Sequence, residues 1–141
     1  MAVNFYESVN DSLLKFAVII ATYQGKFVFC KHRDRDTLEI PGGHREAGEE
    51  IDETARRELY EETGALDFDI KPVCVYSVIE PGKFDGAETF GMLYHAEIRS
   101  FEKELHSEIE QIVISKALPE QWTYPKIQPM LLEEAKRRGV V

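Results

Sequence analysis

The sequence is poor in cysteine, in cationic residues and in long apolar runs, and each shortage excludes something. Its two cysteines, Cys30 and Cys74, sit in apolar strand-like segments, where a thiol behaves as a small hydrophobe, so no disulfide framework is expected. The longest apolar run, Phe16 to Ala21, falls far below the roughly 18 residues of a membrane helix. The opening residues, MAVNFYESVNDSLLKF, lack the basic start, apolar stretch and small-residue cleavage site of a secretory signal. Lys and Arg number 17 against 26 Asp and Glu, a formal net charge of −9. Neutralising a phosphate polymer takes clustered Lys and Arg, so no nucleic-acid polymer is expected as a partner. A cytoplasmic protein without a membrane partner, monomer or homodimer, is the expectation.

What is present suffices for one domain across residues 1–141, since 43% of its 141 residues are hydrophobic and 30% are charged. The acid is unevenly spread: between Glu46 and Glu62 stand eight acidic residues and two basic ones. Such a patch is either a solvated face or a cation site.

Phe16 to Ile20 reads as a buried strand, followed by a Gln24-Gly25 turn and a second strand, Lys26 to Lys31. His32 to Thr37 reads as a loop, and Leu38 to Ile40 as a short strand stopped by Pro41-Gly42-Gly43. A helix is expected from Glu49 or Glu50 to Thr63, with Gly64 as its stop. Strands follow at Pro72 to Ile79, Thr89 to Ile98 and Ile109 to Ser115, and a closing helix at Gln128 to Arg138. The order predicts a mixed α/β sandwich.

The first of these helices breaks its own pattern. On a helical wheel Ile51, Ala55 and Leu59 form the buried stripe, while Asp52, Glu53, Arg56 and Tyr60 face solvent. Glu58 and Glu62 continue or border the apolar stripe, and Glu61 shoulders it. Carboxylates at this spacing repel one another by a few tenths of a kcal/mol per pair. They also crowd the helix C-terminus, where an anion costs roughly 0.3–1 kcal/mol. Partial burial adds to both penalties. A hard divalent cation resolves all three, because Mg²⁺ takes carboxylate oxygens and keeps several waters. The alternative is a surface helix laced by Glu53–Arg57 and Arg57–Glu61 pairs, yet Glu58 and Glu62 lack basic partners at that helical spacing.

The preceding Pro41-Gly42-Gly43 lets the backbone turn tightly and come close to a ligand. From Gly43 to Ala65 the chain runs GHREAGEEIDETARRELYEETGA. It resembles the Nudix box: Gly43, five residues, Glu49, seven residues, then Arg57-Glu58-Leu59-Tyr60-Glu61-Glu62-Thr63-Gly64. Seven fixed identities match, which chance would give in roughly one such chain in a million. One position departs: Ala65 stands where Ile, Leu or Val is usual. In layout the whole chain is similar to small MutT-type Nudix hydrolases.

The resemblance implies an α/β/α sandwich with a mixed sheet, in which loop, helix and loop form a metal and pyrophosphate site. It implies attack of water on phosphorus in a nucleoside diphosphate linked to another group, with Mg²⁺ as cofactor and Mn²⁺ as a substitute. Carried onto this chain, Glu58 and Glu62 become the principal metal ligands, and Glu61 a ligand or the base. The carbonyl of Gly42 or Gly43 completes the set, and Arg57 orients Glu49 or a neighbouring carboxylate. Phosphoryl transfer needs neutralised charge and a placed water, which suits these roles. A further carboxylate is expected from a later loop, with Glu108 the candidate and Glu110 the alternative.

Lys31, His32, Arg33 and Arg35 precede the glycine pair and are candidates to meet the phosphates, as is His44 directly after it. The histidines show no zinc spacing with either cysteine. Tyr76, Phe84, Phe90, Trp122 and Tyr124 are candidate platforms for a base, with Trp122 and Tyr124 in the loop where small Nudix enzymes read it. The asparagine that oxidised-guanine hydrolases place thereabouts is absent, which counts against a guanine-specific role. Pro81, 16 residues beyond Ala65, is placed as in the ADP-ribose branch. Hydrolysis of a nucleoside triphosphate to monophosphate and pyrophosphate therefore ranks first, and of ADP-ribose or a dinucleoside polyphosphate second. A silent Nudix domain that senses a nucleotide is the alternative from another class, and its mark, decay of the box carboxylates, is missing.

Overall fold

Alternation along the strands decides which side chains meet which helix. The computed structural model describes residues 1–104 and 109–141, with the backbone alone at Phe84 and Glu110. In β2 (Leu14–Tyr23), Ala17, Ile19 and Ala21 point into one apolar layer and Ile20 into the other. The period-2 pattern of a strand buried on both faces requires this split. A tight turn at Gln24 and Gly25, both with positive φ, leads into β3 (Lys26–His32). Positive φ at both central residues matches the twist of a two-residue hairpin.

The remaining elements are β1 (Ala2–Tyr6), β4 (Gly42–His44), α1 (Ile51–Thr63), β5 (Ala65–Ile79), β6 (Glu88–Phe101), β7 (Ile109–Ser115) and α2 (Gln128–Arg137). The sheet runs β1-β5-β6-β2-β3-β7, and β4 pairs with β2 beside that path. β2 and β6 are parallel, whereas the other pairs are antiparallel, so the sheet is mixed.

The stripe Ile51, Ala55 and Leu59 of α1 packs on Ala17, Ile19, Val28 and Tyr94 on one face. On the other, Leu131, Leu132 and Ala135 of α2 cover Ile20, Phe29, Cys74, Tyr76 and Leu93. This is an α/β/α sandwich of the expected class. Gly64 ends α1 at φ 76, and its N–H returns to the Tyr60 carbonyl.

Three expectations need correction. Leu38 to Ile40 forms only isolated bridges, Leu38 with Trp122 and Glu39 with Cys30, because the segment is too short to propagate a ladder. Gly42-Gly43 is a strand, not a turn. β5 starts at Ala65, seven residues before the expected Pro72, since its polar first half needs only β6 as a partner. The edge strand β1 was not anticipated; its register runs from Ala2 opposite Ile79 to Tyr6 opposite Val75.

Candidate active site

Two glycines set the site. At Gly42 a Cβ would stand 2.6 Å from the Ala17 carbonyl oxygen and 3.0 Å from Val18 Cα, so only glycine lets β4 lie this close to β2. At Gly43 a Cβ would stand 2.4 Å from the Glu58 carboxyl carbon. The space left by that missing side chain is where the Glu58 carboxylate sits.

The packing of Leu59 and Ala55 turns the last two turns of α1 toward β4. Glu62 is only 9% exposed. Its Oε1 accepts the Gly42 N–H at 2.7 Å, and its Oε2 lies 3.4 Å from His32 Nε2. Burial pushes its pKa up to about 8; the Gly42 N–H opposes the shift, and the charges of Glu58, Glu39 and Glu61 add to it. Burial also raises Glu58, against the pull of Arg57. Both shifts follow from taking carboxylates out of water with too few cations to match them.

Arg57 is the exception in this acidic cluster. Its Nε donates to Glu49 Oε2 at 2.6 Å and its Nη2 to Glu49 Oε1 at 3.1 Å, a two-pronged grip. Nη1 donates to Glu58 Oε1 at 2.9 Å and to Glu61 Oε2 at 3.2 Å, and Nη2 also donates to the His44 carbonyl at 3.0 Å. The guanidinium beside Glu49 holds that carboxyl down at about 2, helped by the Glu46 N–H and the Thr54 hydroxyl. Arg57 thus ties the loop before α1 to the helix face that carries the acids.

These residues fit a hard divalent cation. The donors are carboxylate oxygens, two of them half-buried or buried, and the gap at Gly43 accommodates one of the carboxylates against β4. Among the described residues no three such groups already converge on one point. Glu58 Oε1 is engaged by Arg57 and Glu62 Oε1 by Gly42, which turns the carboxylates away from a common point. Glu58, Glu61 and Glu62, with the Gly43 carbonyl, would hold the ion, which when bound supplies charge neutralisation and an acidified water.

Gly42 and Gly43 also border a cleft of about 500 Å³ beside the α2 layer. Phe16, Val18, Ile40, Tyr76 and Ile127 make its walls apolar, and Glu39, His44, Lys83 and Tyr124 supply its polar rim. Tyr76 stacks with Phe16 at 6.4 Å, and Phe16 meets the His44 ring edge-on at 5.4 Å. The Gln128 amide closes the floor by accepting the Ile40 N–H at 2.8 Å.

The sequence candidates distribute unevenly. Glu49, Arg57, Glu58, Glu61, Glu62 and Gly43 come together, and His44, Tyr76 and Tyr124 line the cleft. His32 stands between Glu39 and Glu62 instead of facing the cleft. Lys31 and Arg33 lie at and beyond the end of β3 and do not line it either. Trp122 packs edge-on against Phe29 at 5.6 Å, and Phe90 packs on Tyr6. Glu108 lies outside the described residues. Glu39 and Phe16 were not singled out in the sequence; a lone acid between Leu38 and Ile40 was a signal of the same kind as Glu62.

The NUDIX domain pattern matches residues 13–127. YtkD of Bacillus subtilis (strain 168), provisionally named an 8-oxo-dGTP diphosphatase, is 30% identical over 135 residues, covering 89% of this chain and 82% of its own. An ADP-ribose pyrophosphatase of the same organism is 48% identical over 52 residues, covering 34% of this chain and 28% of its own. Among solved structures, the Bacillus subtilis pyrophosphohydrolase BsRppH superposes with a TM-score of 0.78 at 27% identity, covering 97% of this chain and 91% of that one.

Proposed function

The chain belongs to the Nudix family of hydrolases, and from that premise we propose that it is a Mg²⁺-dependent pyrophosphohydrolase converting a nucleoside triphosphate and water to the monophosphate and pyrophosphate. The observation that carries this reading is the position of the glycine pair, with the Glu58 carboxylate in the gap at Gly43 and a nucleoside-sized cleft bordered by the same two residues. A base seated among Tyr76, Phe16 and Tyr124 projects its phosphates past His44 toward Glu58, Glu61 and Glu62. Arg57 and Glu49 keep those acids in place, and Glu61, 38% exposed along its side chain, is the acid best reached by an attacking water. Glu108 is retained as the candidate carboxylate from the later loop. The net charge of −9 favours a free nucleotide over a nucleic-acid polymer. Cys30 and Cys74 are buried free thiols, in keeping with a cytoplasmic protein.

A second reading, hydrolysis of ADP-ribose to AMP and ribose 5-phosphate, is favoured by the stretch shared with the ADP-ribose pyrophosphatase. The test is a product screen with Mg²⁺ over dNTPs, 8-oxo-dGTP, ADP-ribose and dinucleoside polyphosphates, with Glu62→Gln as the control. Pyrophosphate from one or a few triphosphates supports the first reading and names the base. AMP from ADP-ribose moves the protein to the second. Saturable nucleotide binding without turnover overturns both in favour of a sensor.

A further inference from the structure

Glu62 has two carboxylate oxygens, and the fold addresses each from a different side. Oε1 accepts the Gly42 N–H at 2.7 Å, and Oε2 faces His32 Nε2 at 3.4 Å. The same Nε2 lies 3.5 Å from Glu39 Oε1. Glu39 is 7% exposed and is bridged through its backbone to Cys30 on β3. Its Oε1 in turn accepts from Arg35 Nη1 at 2.9 Å. A continuous polar chain, Arg35–Glu39–His32–Glu62, therefore runs from the loop after β3 to the last turn of α1. The Cys30 thiol, 3.4 Å from the Glu62 carbonyl, fixes the backbone at the same point.

This surrounding is unsuited to a phosphate. An anion approaching Nε2 of His32 would have to displace Glu39 Oε1 and Glu62 Oε2, which flank it at 3.5 and 3.4 Å. It suits the orientation of a cation ligand, because the Gly42 N–H bonded to Oε1 and the imidazole at ion-pair distance from Oε2 fix the acid from behind, as the groups around a metal ligand do. We propose that His32 and Glu39 are positioning residues that hold the Glu62 carboxylate in the orientation a divalent cation requires. The proposal rests on the reading of Glu62 as a cation ligand. It assigns His32 to the metal side of the site, away from the substrate phosphates for which the sequence nominated it.

The test measures Mn²⁺ affinity of the full chain without nucleotide, by the electron paramagnetic resonance signal of free Mn²⁺. The variants are His32→Leu, His32→Gln, Glu39→Gln and Glu62→Gln, each checked for folding by circular dichroism. The expected result for His32→Leu is an affinity about ten- to a hundredfold weaker. His32→Gln, which keeps an N–H donor, recovers most of that loss, and Glu39→Gln, which frees the imidazole, falls between. At saturating Mn²⁺ the nucleotide KM of His32→Leu and His32→Gln stays near that of the wild type, while at limiting Mn²⁺ their turnover falls with metal occupancy. Wild-type Mn²⁺ affinity in His32→Leu and Glu39→Gln, with a raised nucleotide KM, overturns the proposal and returns His32 to phosphate binding. Should His32→Leu fail to fold, the isosteric Glu39→Gln decides alone. Unchanged Mn²⁺ affinity in Glu62→Gln is a separate outcome, which overturns the cation-ligand reading itself.

Discussion

Replacing Glu62 by Gln in the metal-free protein should raise stability, and by an amount that depends on pH. The folded carboxyl titrates at about 8 against 4.5 for the ordinary group, because it is buried beside Glu58, Glu39 and Glu61. A raised carboxyl favours the fold below the unfolded pKa, and that advantage is lost as pH rises from 4.5 toward 8. Holding the proton at pH 7, some 2.5 units above the ordinary value, costs about 3 kcal/mol at roughly 1.4 kcal/mol per unit. At pH 5 the same cost is under about 1 kcal/mol. Gln is never charged and still presents an oxygen to the Gly42 N–H, so it escapes the cost. Chemical denaturation with a chelator present, at pH 5, 6, 7 and 8, should show the two proteins diverging steadily, with the variant ahead by about 3 kcal/mol at pH 7. Added Mg²⁺ should close or reverse the gap, since only the carboxylate gains a partner. Parallel curves from pH 5 to 8 would refute the reasoning, because they would mean that Glu62 is no more costly in the fold than in the unfolded chain.

Other changes have distinct signatures. Gly43→Ala drives a methyl into the Glu58 carboxylate, a flexible end that can swing away, so melting temperature should shift little while Mg²⁺-dependent kcat falls about a hundredfold. Unaltered turnover would remove Glu58 from the site. Glu49, held down at about 2 by Arg57, contributes stability above its ordinary pKa of 4.5 that is lost as pH falls from there toward 2. Arg57→Met should therefore flatten the acid limb of the stability curve between pH 4.5 and 2, and an unchanged limb would mean that the grip on Glu49 is without thermodynamic effect. Glu108→Gln should lower kcat at least about tenfold if it supplies the later-loop carboxylate, and wild-type turnover removes it.

The sequence exposed the part of the site that depends on local periodicity. Glu58 and Glu62 were legible because helical spacing carried them onto the stripe of Ile51, Ala55 and Leu59, and the structure buries Glu62 there. The grip of Arg57 on Glu49, which stands before α1 and eight residues away, was expected only from the family resemblance. What escaped was whatever depends on segments distant in the chain. That β4 is a strand follows from its fit against Ala17 and Val18, which two glycines in a row do not announce. The cleft floor needs Gln128 to reach back to Ile40, and Trp122 is drawn to Phe29 by bridge pairing with Leu38. His32 ends β3, where the sequence reads as a loop, and the two carboxylates beside it come from other elements, which local spacing does not reveal.

The two helices make the case for function most directly, since they obey opposite rules within one chain. α2 carries Lys136 and Arg137 in its last turn, where the helix dipole favours cations. α1 carries no basic residue in its last turn and places Glu61 and Glu62 there instead, after Glu58 one turn earlier. Nothing in the packing of α1 requires this: Leu59, Ala55 and Ile51 already supply its apolar contact with the sheet. A chain that caps one helix with the favoured charge and loads the other with the disfavoured one has a reason at the second that is not stability. The Glu62→Gln comparison measures that reason, because the stability gained on removing the acid is the amount a bound cation must return to make the wild-type helix the better one.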